Sequence, residues 1–189
     1  MNSMFNECEV IAGCIKCNRK AQKMLFDKFS PVLFAICLRY SKSREEAEDV
    51  LQEGFVKIFS NIKQFKGEGS FEGWLKRIMI NTAISNYRNS LKYYYHEEVE
   101  NVSEEIANEE EPDYEYSMND LMQLINELPD GYRVIFNMYV IEEYKHKEIA
   151  EILDIDVGTS KSQFSRAKKM LQKKLVELSE VRRLELVNG

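Results

Sequence analysis

The chain has 189 residues, only 8 glycines and 3 prolines, and a formal charge of -6. That length allows one or two domains, each large enough for a helical core. No apolar run approaches the roughly 18 to 20 residues that a bilayer crossing needs. The leading MNSMFNECEV has neither a basic start nor a continuous apolar stretch, so a cytosolic protein without membrane insertion is expected.

Few chain breakers and apolar residues at helical rather than alternating spacing predict an almost wholly α-helical protein. Residues 5 to 18 are read as a short helix with Ile11 and Ile15 on one face. A second helix starts near Arg19 with Ala21, Leu25 and Phe29 inward. Pro31 lacks an N–H and is expected to bend or restart it, with Phe34, Ala35, Leu38 and Tyr40 continuing the core. Cys14 and Cys17 form a lone C-x2-C, but Zn2+ needs four ligands and the two histidines, His96 and His146, lie far off in sequence. Reduced thiols, with no metal and no cofactor, are the expectation.

Ser43 is placed to cap the next helix, Arg44 to Ile62, whose stripe is Ala47, Leu51, Phe55, Ile58 and Ile62. Asp49, Gln52 and Glu53 share another face, which is either solvated surface or a docking face for a basic partner helix. The loop from Gln64 to Ser70 matches no phosphate-cradling glycine spacing and reads as a turn. From Phe71 a further helix turns Phe71, Trp74, Leu75, Ile78 and Ile84 inward, while Lys76, Arg77, Asn81, Asn86 and Arg88 supply polar tips. Aromatics interleaved with such tips suit single-stranded DNA. Trp74 is either a core anchor or a stacking platform.

The negative net charge argues against a nucleic-acid binder until the acids are located. From Tyr93 to Tyr132 there are 13 acidic residues and no lysine or arginine. The chain before Tyr93 carries +5 and the chain after Tyr132 carries +2, so two basic bodies flank an acidic strap. Between Tyr93 and Tyr116 the strap is polar and aperiodic, a flexible tether. Extended, it spans roughly 80 Å, more than two turns of duplex DNA at about 34 to 36 Å each.

Helices resume with Leu121, Leu124, Ile125 and Leu128, and after Pro129 with Val134, Ile135, Met138 and Tyr139. A helix from His146 carries Ile149, Ala150, Ile152 and Leu153 and stops at Asp154. Apolar positions return at Phe164, Ala167, Leu171 and Leu175, with Thr159 or Ser160 available as N-cap. The pair reads as helix-turn-helix. Its second helix holds Lys161, Arg166, Lys168, Lys169, Lys173 and Lys174 beside Ser160, Ser162 and Ser165, with no acid from Gly158 to Val176. Such a surface suits the major groove, with helix N-terminal residues on base edges and basic residues on phosphates.

Two stretches, EEAEDVLQEGFVKIFSNIKQFKGEGSFEGWLKRIMINTAISNYRN and INELPDGYRVIFNMYV followed by HKEIAEILDIDVGTSKSQFSRAKKML, resemble regions 2 and 4 of bacterial sigma-70 family factors. The similarity is to the small extracytoplasmic-function (ECF) group, over about residues 7 to 92 and 117 to 176. It implies an all-α chain of two small domains: region 2 over 5–92, an acidic linker over 93–116, region 4 over 117–178 and a tail over 179–189. It also implies a non-enzymatic chain that joins core RNA polymerase, through the beta-prime and beta subunits, and directs it to promoter DNA. Asp49, Gln52 and Glu53 match the face that docks on the beta-prime coiled coil. Lys66, Lys76, Arg77, Asn81 and Arg88 match the part that captures the unpaired -10 strand, with Asn81 at a position similar to one that reads a flipped-out base. Lys161, Ser162, Ser165 and Arg166 match the part entering the major groove at the -35 element. Thr159, Ser160, Lys168 and Lys169 complete that surface. An anti-sigma factor partner belongs to the same expectation.

Three residues depart from the family pattern. Asp154 stands where glycine is common, Ser160 replaces an apolar residue, and Gln163 stands where arginine is frequent. The rival reading is a stand-alone helix-turn-helix regulator, which accounts for 117–176 but leaves 19–92 without a receiver or ligand-binding signature. A carboxylate nuclease is a poorer one, because no catalytic constellation accompanies the acids.

Overall fold

The computed structural model describes residues 5–94 and 116–188, and the chain divides into two compact units, 1–95 and 96–189. Most of the acidic strap lies outside the described residues. Among those residues there is no strand, and no helix is long and apolar enough to cross a membrane.

The first unit holds α1 (Glu7–Ile15), α2 (Arg19–Tyr40), α3 (Arg44–Asn61) and α4 (Phe71–Tyr94). Side-chain caps start the first three. Asn6 accepts from the Glu9 N–H, Asn18 from those of Lys20 and Ala21, and Ser43 from that of Glu46, so N–H groups without a helical partner are satisfied locally. In α1 the buried face is Val10 and Cys14, not Ile11 and Ile15; Ile15 is 36% exposed. Burial pushes the thiols of Cys14 and Cys37 up, that of Cys37 to about 12, whereas Cys8 and Cys17 are exposed.

α2 runs through Pro31 without a break, contrary to the expected restart. The inward positions Ala21, Leu25, Phe29, Leu33, Ile36, Cys37 and Tyr40 keep helical spacing across the proline, so Leu33 replaces the anticipated Phe34, and Ala35 and Leu38 face outward. Pro31 sits on the exposed side, where water can serve the carbonyl it leaves without a donor.

α3 buries the expected stripe and adds Val50 and Gly54. Gly54 lets α3 approach α4, because a Cβ there would overlap the Met79 thioether. A 3-10 turn, Ile62–Gln64, leads into a loop where Gly67 and Gly69 adopt φ +76° and +87°, conformations nearly reserved for glycine. Trp74 is half-buried against Phe65 and Phe71, parallel to the latter within 13°, which makes it part of an aromatic cluster with Phe29.

The second unit holds α5 (Met118–Asn126), α6 (Asp130–Phe136), a wider π turn (Asn137–Ile141), α7 (His146–Leu153) and α8 (Val157–Asn188). Ser117 and Asp120 form a reciprocal capping box at α5. The π turn re-phases the inward face: Met138 is buried, while Tyr139, expected in the core, is 39% exposed. Arg133, which sequence periodicity did not single out, is buried. It pairs with Asp130 at 2.8 Å and donates to the Leu128 and Asn126 carbonyls at the end of α5. Residues beyond 178, set apart in sequence as a tail, continue α8 to Asn188.

Candidate nucleic-acid interface

The helix-turn-helix is made by α7 and α8. α7 ends at Asp154, which takes the left-handed conformation (φ +59°, ψ +50°) that a glycine would supply more cheaply. Aspartate is tolerated there, so this departure from the family pattern preserves the turn. α8 then begins at Val157, two residues before the expected Thr159 cap, and Thr159 and Ser160 are inside its first turn. Neither is the N-cap.

From α8, Lys161, Ser162, Ser165, Lys168 and Lys169 are exposed, with Thr159 and Arg166 half-buried beside them. They lie on the side away from buried Ala167, and no acid interrupts them. The Ser162 hydroxyl donates to the Thr159 carbonyl at 3.0 Å, leaving its oxygen as an acceptor toward solvent. Ser160 is the exception to the sequence-derived set. It is 0% exposed and its hydroxyl meets His146 Nδ1 at 2.9 Å, so it faces inward and does not belong to the exposed -35 surface on which it was expected. His146 also stacks on Tyr139 and meets Phe164 edge-on. Burial first, then the Lys161 charge, holds its imidazole below the usual histidine value. The signal for this pair was the histidine opening α7 with a polar residue at an expected apolar position.

On the first unit, Asp49, Gln52 and Glu53 are exposed on one face of α3. Val56, one further turn along, is 65% exposed; the stripe that assigned Phe55 and Ile58 to the core left it outward, and sequence reasoning passed over it. Glu53 is held at 2.6 Å by Lys57 and at 2.6 Å by Asn86, and those bonds, Lys57 first, draw its carboxyl below the usual range. Among the residues expected to meet the -10 strand, Lys66, Arg77 and Asn81 are exposed, Arg88 is half-buried, and Lys76 is half-buried and paired with Glu72 at 2.7 Å. Lys76, Arg77, Asn81 and Arg88 share α4; Lys66 comes from the glycine loop. Among the described residues no His, Cys, Asp or Glu cluster fits a metal.

The architecture is that of a two-unit helical protein whose second unit carries a helix-turn-helix. The family described as Sigma-70 region 2 matches residues 25–92, and that described as Sigma-70, region 4 matches residues 118–171. The chain is 31% identical over 173 residues to the ECF RNA polymerase sigma-E factor of Haemophilus influenzae, covering 85% of this chain and 90% of that protein. It is 32% identical over 166 residues to the ECF RNA polymerase sigma factor SigW of Bacillus subtilis, covering 82% and 88%. Among solved structures, the sigma factor RpoE in complex with the anti-sigma factor NepR, from Bartonella quintana, is similar with a TM-score of 0.45 at 23% identity, covering 82% of this chain and 96% of that one. The chain belongs to the sigma-70 family of RNA polymerase sigma factors, in its ECF group.

Proposed function

We propose that this sigma factor docks on core RNA polymerase through α3, places α8 in the major groove at a -35 element, and uses α4 with the glycine loop to capture the unpaired -10 strand. The observation that carries the reading is the acid-free basic face of α8 set behind the left-handed Asp154 turn. Asp49 and Glu53 supply charge to the docking face, Gln52 a neutral amide and Val56, one turn further on, an apolar contact, an arrangement suited to a basic amphipathic partner helix. Asn81 reads an extruded base; Lys66, Lys76, Arg77 and Arg88 hold the strand's phosphates. On α8, Lys161, Ser162, Ser165 and Arg166 reach base edges, while Lys168 and Lys169 meet the backbone.

Duplex opening costs a few kcal/mol per unstacked base, and capture of extruded bases offsets it. The chain itself catalyses nothing; the polymerase makes the RNA. The acidic strap competes with DNA for the basic surfaces before polymerase binds, and the protein works in the cytoplasm. An anti-sigma factor, expected from the resemblance to the ECF group, is proposed as a further partner.

Run-off transcription with core polymerase on a random promoter library tests the reading. Transcripts should arise from templates sharing an upstream and a downstream motif, and the protein should co-purify with core polymerase. A chain that shifts promoter duplexes alone and ignores the polymerase is instead a stand-alone helix-turn-helix regulator.

A further inference from the structure

His146 opens α7 and Ser160 stands in the first turn of α8, so their side chains meet across the Asp154 turn, the joint of the helix-turn-helix. Ser160 is fully enclosed, and a hydroxyl taken from water is costly unless it is paired. The imidazole is fixed in two further directions. Tyr139 stacks on it at 4.4 Å with 16° between planes, and Phe164 meets it at 5.6 Å with 62° between planes. A ring held by a stack, an edge and a hydrogen bond has one orientation. An apolar residue is expected at 160, so the serine and histidine form a polar exchange in which each supplies the partner that the other's burial requires.

We propose that His146 is a positioning residue for DNA reading: its neutral ring, protonated on Nε2, accepts at Nδ1 from the Ser160 hydroxyl and so fixes the first turn of α8, from which Lys161, Ser162, Ser165 and Arg166 project. This rests on the function proposed above and adds a residue that acts on DNA only through another. Partial burial and the nearby Lys161 charge both favour the neutral ring at pH 7.

Two measurements test it. Nitrogen NMR of the full chain at pH 7 should show an unprotonated, hydrogen-bonded Nδ1 whose resonance moves in Ser160→Ala. In the second, holoenzyme assembled with core polymerase transcribes a promoter library randomised over the upstream element. Ser160→Ala and His146→Phe, which keeps the stack but not the acceptor, should each lower transcription from the preferred templates roughly threefold to tenfold, the range of one neutral hydrogen bond. The double variant should be no worse than either single one, the downstream preference should not move, and His146→Asn should recover much of the loss. A protonated Nδ1 in the parent chain, or unchanged upstream preference in both single variants, overturns the proposal. If the parent holoenzyme shows no template preference, the proposed function falls and this role with it, even where NMR finds the bond intact.

Discussion

Asn86 on α4 donates to the Glu53 carboxylate on α3 across 2.6 Å, joining the proposed docking face to the helix proposed to capture DNA. Glu53→Gln keeps an acceptor for Asn86 and loses the charge pair with Lys57. Both partners of that pair are about two-fifths exposed, so solvent screening limits its worth to about 0.5 kcal/mol. The variant should therefore melt close to the parent temperature by circular dichroism yet compete several-fold less well for core polymerase. A parental affinity would remove Glu53 from the docking set.

Base-reading and phosphate-holding residues should separate by salt. Lys168→Ala should weaken -35 duplex binding alike on all sequences and lower the slope of log K against log salt by about one. Arg166→Ala should cost about 1 to 3 kcal/mol on the preferred sequence and relax selectivity at one base position. Fluorescence anisotropy of holoenzyme on duplexes across a salt series distinguishes them, and interchanged behaviour would reverse the two assignments.

Gly54→Ala tests the close approach of α3 and α4. The added methyl meets Met79, itself fully buried, so overpacking should destabilise the first unit by about 1 to 3 kcal/mol in urea unfolding. In a Met79→Ala background, itself less stable for the cavity it leaves, the same methyl should cost markedly less than in the parent. No change in the first variant would show that the thioether simply moves aside.

Periodicity made the helices among the described residues legible, because a stripe at i, i+3 and i+4 needs only one core to face. Its phase was harder to read. Pro31 suggested a restart, yet Phe29 to Leu33 keeps the stripe continuous and the ring faces water. Tyr139 was assigned inward because a uniform 3.6-residue repeat does not foresee a π turn. Ser160 looks like a groove residue because serine is polar, although it stands four residues before Phe164 on the apolar stripe; the partner that satisfies its buried hydroxyl, His146, is 14 positions away and periodicity does not point to it. Exposure of Asp49, Gln52, Arg77, Asn81 and Lys168 followed directly from their places off the stripes.

Asp120 gives a pH signature. The Ser117 hydroxyl first, then Arg182, pull its carboxyl down to about 2. A group depressed in the folded state stabilises above its ordinary value, near 3.8, and that contribution is lost as pH falls toward 2. Asp120→Asn should flatten the acid limb of the second unit's stability between about pH 4 and 2, read by unfolding followed through the NMR amide signals of α5 and α6. An unaltered limb would place the acid sensitivity elsewhere.

The matched region 4 ends at residue 171, but α8 does not. Beyond that point Lys174 grips Glu127, the Leu175 carbonyl receives the Tyr116 hydroxyl, and Arg182 reaches Asp120, so α5 is fastened by the part of α8 that the family boundary omits. A gene trimmed at that boundary to isolate a minimal DNA reader would keep the reading surface and discard the guy-ropes of its opening helix.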